Sequence, residues 1–118
     1  MAKALVLHYP TCSTCKKALK WLDEHAVPVE ERDIEASPPT LAELEKWIDM
    51  SDVPLHKWLN TSGNSYKAMG GKAKFETMTD AGIKAALVKD GMLIKRPVVI
   101  SGHLVLVGFS EAAYEQLT

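Results

Sequence analysis

The chain has 118 residues and a net charge of −1, with 47% hydrophobic and 25% charged residues. This length predicts one domain, residues 1–118, with an ordinary hydrophobic core. The near-neutral charge argues against direct binding of nucleic acid, which needs a basic surface, and no apolar run approaches the roughly 18 residues of a membrane span. Charged and turn residues interrupt the N-terminal apolar run before it reaches the length of a signal peptide. We therefore expect a cytoplasmic protein without a membrane partner.

The first third of the chain predicts a strand, a helix and a second strand. Residues 3–8 are nearly all apolar, as in a strand that is covered on both faces, and Tyr9-Pro10 ends this run. A helix is predicted from about residue 12 to residue 25, because apolar side chains recur at helical spacing at Cys15, Ala18, Leu19 and Leu22. Residues 29–34 predict the second strand. Such a βαβ unit has parallel strands.

A helical insert is predicted over about residues 40–90. The run Thr40-Leu41-Ala42-Glu43 is a capping box, in which the threonine and the glutamate satisfy the first backbone groups of a helix. Shorter helical segments follow at residues 54–59, 65–69 and 79–88, separated by polar, glycine-bearing loops that include Gly70-Gly71. The dipeptide Asp90-Gly91 ends the insert with a turn.

The second half of the fold begins at Arg96-Pro97. Residues 98–100 predict a short strand, Ser101-Gly102 a two-residue hairpin turn, and residues 104–107 the partner strand. Ser110 is suited to cap a last helix at residues 111–117. The complete order is βαβ, insert, ββα. With a Cys-x-x-Cys pair after the first strand, this order predicts an α/β, thioredoxin-like fold.

The two cysteines of the chain, Cys12 and Cys15, occur where the first strand turns into the first helix. A cysteine at a helix N-terminus has its pKa lowered from about 8.5 to about 3.5–7.5, because unpaired backbone N–H groups favour the thiolate. Ser13 and Thr14 make the turn polar, and Lys16 adds positive charge. We predict that Cys12 is a thiolate nucleophile. The alternative is a buried structural cysteine.

Cys15 lies one helical turn after Cys12, on the apolar face of the predicted helix. From this position it can resolve a mixed disulfide on Cys12, although packing alone would explain its position equally. A zinc site is not predicted, because zinc normally takes four ligands. The chain has no second cysteine pair, and its histidines show no ligand spacing: His8, His25, His56 and His103.

Arg96 is the third candidate for the site. The strand after it is expected beside the first strand, which would bring the preceding loop close to Cys12. A guanidinium there can stabilise a thiolate or bind an oxyanion in a bidentate way. The alternative is an ordinary solvated arginine.

Five features of the chain occur together: Cys12-Ser13-Thr14-Cys15-Lys16-Lys17, the helical insert, Asn60-Thr61-Ser62-Gly63, Leu93-Ile94-Lys95-Arg96-Pro97-Val98-Val99 and Val107-Gly108-Phe109. In combination they resemble the ArsC/Spx family, the arsenate-reductase-like branch of the thioredoxin-fold proteins, over residues 5–117. The resemblance implies that Cys12 is the nucleophile, that Pro97 is a cis-proline facing it, and that Arg96 approaches it.

The first functional hypothesis is a thiol–disulfide oxidoreductase acting on a thiol or disulfide protein or a small-molecule substrate. Cys12 attacks, Cys15 resolves, Arg96 stabilises the thiolate and Pro97 shapes the substrate groove. Such an enzyme needs no bound cofactor. An external thiol reductant, either glutathione with glutaredoxin or thioredoxin, would return it to the dithiol form.

Arsenate reduction is the second hypothesis. Similar glutaredoxin-coupled arsenate reductases hold the oxyanion with three arginines around one catalytic cysteine. Here Arg96 matches one of them, whereas Asn60 and either Gly108 or Phe109 occupy the other two positions and are not basic. Because a hydrogen bond to a charged group contributes about 1.5–3 kcal/mol, we expect weak arsenate binding.

A redox-sensing transcriptional regulator is the third hypothesis. Spx-like regulators share the Cys-x-x-Cys and Arg-Pro motifs, bind the RNA polymerase α subunit and use the disulfide as a switch. The resemblance therefore implies this subunit as a partner. Pro54 falls where those regulators usually have glycine, which counts against the hypothesis.

Overall fold

The computed structural model describes residues 3–118, which divide into two compact units. One unit comprises the chain up to Asp33 together with Arg96–Thr118, and the other comprises Ile34–Lys95. Across the described residues, no helix is both long enough and apolar enough to cross a bilayer.

The first unit is built on a four-stranded sheet with strand order β2-β1-β3-β4. Its strands are β1 (Ala4–His8), β2 (Val29–Asp33), β3 (Val98–Ser101) and β4 (Leu104–Val107). Helix α1 (Ser13–Glu24) connects β1 to β2, and these two strands are parallel. β3 runs antiparallel to both β1 and β4. The predicted α/β class, the parallel pair and the position of β3 beside β1 are therefore confirmed.

Helix α1 covers the sheet with its apolar face. It buries Cys15, Ala18, Trp21 and Leu22, and three of these belong to the predicted stripe. Their neighbours in the core are side chains from β1, β3 and the C-terminal helix, chiefly Val6, Val99 and Tyr114. The first half of α1 is therefore fixed on the sheet, and with it the cysteine turn.

The hairpin turn lies one residue later than the sequence predicts. Ser101 pairs with Leu104, so the two turn residues are Gly102 and His103, not Ser101 and Gly102. The physical reason is that Gly102 has a positive φ of 59°. A two-residue turn of type II′ places glycine at its first central position, and this register does so.

The C-terminal segment forms α6 (Glu111–Tyr114), followed by a 3-10 turn at Glu115–Leu117. The hydroxyl of Ser110 accepts a hydrogen bond from the Ala113 N–H at 3.4 Å, which confirms the predicted cap. Tyr114 is fully buried, and its hydroxyl donates to the Gly108 carbonyl at 2.8 Å.

Replacing Tyr114 with phenylalanine should destabilise the protein by about 1–2 kcal/mol, because it leaves the buried Gly108 carbonyl without this donor. The ring contacts with Trp21 and Phe109 are retained in the variant. Equilibrium unfolding in urea measures the change. A midpoint equal to that of the wild type would show that the hydroxyl contributes nothing.

The second unit contains four helices within the described residues: α2 (Leu41–Ser51), α3 (Asn64–Ala68), α4 (Gly71–Glu76) and α5 (Asp80–Lys89). Short 3-10 turns lie at Leu55–Trp58 and Gly91–Leu93. The predicted capping box is confirmed, since the Glu43 N–H donates to Thr40 Oγ1 and the Thr40 N–H donates to Glu43 Oε1.

Helix α4 is absent from the sequence-based prediction, which assigns Gly70-Gly71 to a loop. Both glycines have positive φ, 113° and 63°, and they separate α3 from α4. Helix α4 is only six residues long and buries one side chain, Phe75. One buried apolar residue in six cannot show the spacing of a helix, so the sequence pattern does not predict this helix.

Candidate active site

Cys12 is the N-cap of α1. Its backbone is extended, with φ −77° and ψ 115°, and its sulfur accepts a hydrogen bond from the Cys15 N–H at 3.3 Å. The Cys12 N–H donates to the Tyr9 carbonyl at 3.0 Å, and the Cys12 carbonyl accepts from the Lys16 N–H at 3.1 Å. The sulfur thus occupies the position in which a serine or aspartate oxygen usually caps a helix. This agrees with the helix start predicted from the sequence.

The two cysteines differ in accessibility. Cys12 is half-buried, whereas Cys15 is only 1% exposed and packs on the core face of α1. Both are free thiols. A substrate from solvent can therefore reach Cys12 but not Cys15.

The sheet brings Arg96 to the cysteine turn. β3 pairs antiparallel with β1, with Val98 opposite Leu7, so the residues before β3 lie at the end of β1 where the cysteine turn begins. The Arg96 guanidinium is near enough to the Cys12 sulfur to lower its pKa, and its central carbon lies 5.7 Å from the centroid of the Tyr9 ring.

Pro97 follows Arg96 and directly precedes β3. The Arg96–Pro97 peptide bond is cis, in agreement with what the family resemblance implies. Pro97 is buried, and its carbonyl accepts the Gly108 N–H at 2.7 Å. This bond continues the β3–β4 ladder by one residue beyond the pair of Val98 and Val107.

The surroundings of Cys12 favour its thiolate. Burial disfavours the charged form, but hydrogen bonds from the Cys15 thiol, the Cys15 N–H and Arg96, together with the positive charge of Arg96, outweigh burial. They hold the pKa of Cys12 below that of a free cysteine. The site therefore stabilises the form of cysteine that attacks sulfur.

The surroundings of Cys15 have the opposite effect. Burial, the hydrogen bond that its thiol donates to Cys12 and the negative charge of Cys12 together raise the pKa of Cys15 to about 12. A hydrogen bond from the Tyr9 N–H and the charge of Arg96 oppose this shift only partly. Of the two thiols, Cys12 is therefore the one that loses its proton first.

The other residues predicted for the site occupy less central positions. Ser13, Thr14 and Lys16 lie in the first turn of α1 and are exposed. Asn60 belongs to the second unit, where its N–H donates to the Leu93 carbonyl at 2.7 Å and its carbonyl accepts the Gly63 N–H at 3.1 Å. Within residues 3–118, three or more His, Cys, Asp or Glu side chains nowhere gather as a metal site would require.

Tyr9 is a residue of the site that the sequence analysis treats only as the end of a strand. Its carbonyl accepts the Cys12 N–H, its own N–H lowers the pKa of Cys15, and its ring faces the Arg96 guanidinium. The sequence did contain a signal for this role. Tyr9 is an aromatic residue three positions before Cys12, and the guanidinium of Arg96, which is also predicted for the site, stacks readily on aromatic rings.

Known proteins resemble this chain over nearly its whole length. The ArsC family model matches residues 7–117. The uncharacterised protein YusI of Bacillus subtilis (strain 168) is 42% identical over 108 residues, which are 92% of each chain. The global transcriptional regulator Spx of Listeria innocua is 26% identical over 102 residues, 86% of this chain and 76% of Spx.

A solved structure gives the same result for the whole fold. The crystal structure of an ArsC-family-related protein from Bacteroides fragilis superimposes with a TM-score of 0.95 at 44% identity, covering 99% of this chain and 98% of that one. The family model spans nearly the entire chain, and both YusI and the Bacteroides protein exceed 40% identity. The chain belongs to the ArsC family.

Proposed function

We propose that this protein is a thiol–disulfide oxidoreductase in which Cys12 is the nucleophile and Cys15 the resolving thiol. The observation that carries the proposal is the hydrogen bond from the Cys15 N–H to the Cys12 sulfur at 3.3 Å, at the N-cap of α1. An accessible Cys12 thiolate and a second thiol, that of Cys15, thus lie one turn apart at the start of the same helix. This arrangement is suited to disulfide exchange.

The proposed reaction has two exchange steps. The Cys12 thiolate attacks one sulfur of the substrate disulfide, the substrate S–S bond breaks, and one substrate thiolate leaves. Cys15, after losing its proton, then attacks the Cys12 sulfur and releases the second substrate thiolate. The protein is left with a Cys12–Cys15 disulfide, and the substrate has gained two electrons. An external thiol reductant, either glutathione with glutaredoxin or thioredoxin, supplies two electrons to restore the dithiol.

The pKa of Cys15 fits the order of these steps. Two of the causes that raise it, the hydrogen bond to Cys12 and the negative charge of Cys12, exist only while Cys12 is a thiolate. Formation of the mixed disulfide removes both and leaves burial as the main opposing influence. The attack by Cys15 is thus favoured only after Cys12 has captured a substrate.

The pH dependence of Cys12 reactivity tests the first step. Because the thiolate reacts, the rate of alkylation by iodoacetamide should rise with pH to a plateau. The midpoint of this rise should lie below the roughly 8.5 of free cysteine. Peptide mass mapping distinguishes labelling at Cys12 from labelling at Cys15, which stays protonated over this range. A midpoint at or above the roughly 8.5 of free cysteine would contradict a thiolate nucleophile.

Arsenate reduction is the competing reaction within the same family. Of the residues that the resemblance aligns with the three oxyanion-binding arginines, only Arg96 is basic, and its guanidinium already contacts Cys12 and Tyr9. An oxyanion at Cys12 would therefore lack two charge-assisted contacts, each of about 1.5–3 kcal/mol.

The similarity to Spx favours a regulator as the second candidate. In that function the Cys12–Cys15 disulfide would act as a signal, and the partner would be the RNA polymerase α subunit. Under this candidate, the isolated carboxy-terminal domain of the polymerase α chain, immobilised on a resin, should capture the oxidised or the reduced protein. Equal absence of capture in both redox states would eliminate it.

A side-by-side assay separates the candidates. NADPH oxidation is followed with hydroxyethyl disulfide or arsenate as substrate, in the presence of either the glutathione–glutaredoxin or the thioredoxin system. We expect disulfide turnover that depends on the protein, and little arsenate turnover. Arsenate turnover without disulfide turnover would overturn the proposal.

We place the reaction in the cytoplasm, whose reductants keep both thiols reduced.

A further inference from the structure

Tyr9 contacts each of the three residues to which the proposed function assigns a role. Its carbonyl accepts the Cys12 N–H at 3.0 Å, and its backbone N–H favours the thiolate of Cys15. Its ring faces the Arg96 guanidinium, with 5.7 Å between the ring centroid and the central carbon of that group. The first two contacts use the backbone and would exist for almost any side chain. The third depends on the aromatic ring.

The ring meets a specific need of Arg96. An arginine side chain has several rotatable bonds, and holding it in one rotamer costs conformational entropy. A ring within about 6 Å of the cation attracts it through the aromatic quadrupole and restricts its orientation.

We propose that the Tyr9 side chain is a positioning residue that holds the Arg96 guanidinium against the Cys12 sulfur. The inference rests on the proposed function, in which Arg96 stabilises the attacking thiolate. Tyr9 acts through Arg96, so its side chain contributes only while Arg96 is present.

The test is a double-mutant cycle on the full chain, with Tyr9→Leu, Arg96→Gln and both changes together. The thiolate of Cys12 is titrated by its absorbance at 240 nm, a measurement that needs no substrate. Tyr9→Phe is the matched control, because it removes the hydroxyl and keeps the ring. Circular dichroism spectra establish that each variant is folded.

The expected shifts follow from the size of a cation–π contact at a partly exposed site. Tyr9→Leu should raise the Cys12 pKa by about 0.5 unit, which lowers the alkylation rate about threefold at a pH well below the pKa. Tyr9→Phe should leave the Cys12 pKa within about 0.2 unit of the wild-type value. In the Arg96→Gln background, Tyr9→Leu should produce no further shift, since the group that it positions is gone.

Each outcome has a definite meaning. An equal shift from Tyr9→Leu with and without Arg96 would assign Tyr9 a general structural effect and overturn the inference. A pKa shift with Tyr9→Phe as large as that with Tyr9→Leu would overturn it as well, because the aromatic ring would then not be what holds Arg96. A wild-type Cys12 pKa at or above the roughly 8.5 of free cysteine would instead contradict the proposed function itself.

Discussion

Replacing Cys12 with serine should reduce disulfide turnover by roughly 10³-fold or more, because the serine hydroxyl is not a nucleophile toward sulfur at neutral pH. Cys15 cannot take over the attack. It is 1% exposed, and burial remains as a cause that raises its pKa even when the Cys12 sulfur is absent. The coupled assay with hydroxyethyl disulfide measures the loss.

The Cys15→Ser variant is the matched comparison, since it removes the second thiol and keeps the N–H that hydrogen-bonds the Cys12 sulfur. Here the first exchange step should proceed and the second should not. With oxidised glutathione, mass spectrometry should show one glutathione attached to Cys12 that persists until another thiol removes it. The wild type should show the intramolecular disulfide instead.

These two variants separate the roles of the cysteines. Substantial turnover by Cys12→Ser would contradict the assignment of the nucleophile. Unchanged turnover by Cys15→Ser with the thioredoxin system would show that Cys15 only packs in the core, which is the alternative that the sequence leaves open. Turnover retained by Cys15→Ser only with the glutathione system would indicate a monothiol route.

The position of Cys12 could be predicted from the sequence because its determinants are local. The apolar run of β1, the break at Tyr9-Pro10 and the helical stripe after Cys15 all lie within about one helix length of it. The approach of Arg96 depends on long-range pairing. It was nevertheless predictable, because an arrangement of βαβ followed by ββα places β3 beside β1, and the residues before β3 then meet the end of β1.

The contact between Tyr9 and Arg96 could not be predicted in the same way. Pairing of β1 with β3 brings their loops together, but it does not determine which side chain a guanidinium faces. Similar reasoning applies to the hairpin. The turns Ser101-Gly102 and Gly102-His103 differ by one residue of register, and only the backbone conformation of Gly102 distinguishes them.

Gly91 is another position where the sequence indicated a turn but not its tertiary role. Asp90 behaves as expected of a turn residue, because its carboxylate accepts the Met92 N–H at 2.9 Å. Gly91 is buried and does not have a positive φ. A Cβ added to Gly91 would overlap the carbonyl oxygen of Ile34 and lie 3.0 Å from its carbonyl carbon. The glycine is therefore required for space and not for backbone conformation.

Gly91→Ala should consequently destabilise the protein by about 2–3 kcal/mol, because the obstacle is a backbone carbonyl that no side-chain rotation can relieve. Such a loss is a large share of the roughly 5–15 kcal/mol that stabilises a domain. With a urea m-value of about 2 kcal/mol/M, the unfolding midpoint should fall by about 1–1.5 M.

Gly82→Ala is the matched control for this substitution. Gly82 lies in the first turn of α5, and an added Cβ would meet Thr79 Oγ1 at 3.3 Å, which is a tight contact with a side-chain atom and not an overlap with a backbone carbonyl. Alanine also favours the helix by about 1 kcal/mol over glycine, so the control should stay within about 1 kcal/mol of the wild type. Equal midpoints for Gly91→Ala and Gly82→Ala would contradict the close packing of Gly91 on Ile34. A selective loss at Gly91 would support it, since both substitutions add the same methyl group and only at Gly91 does that group meet a backbone carbonyl.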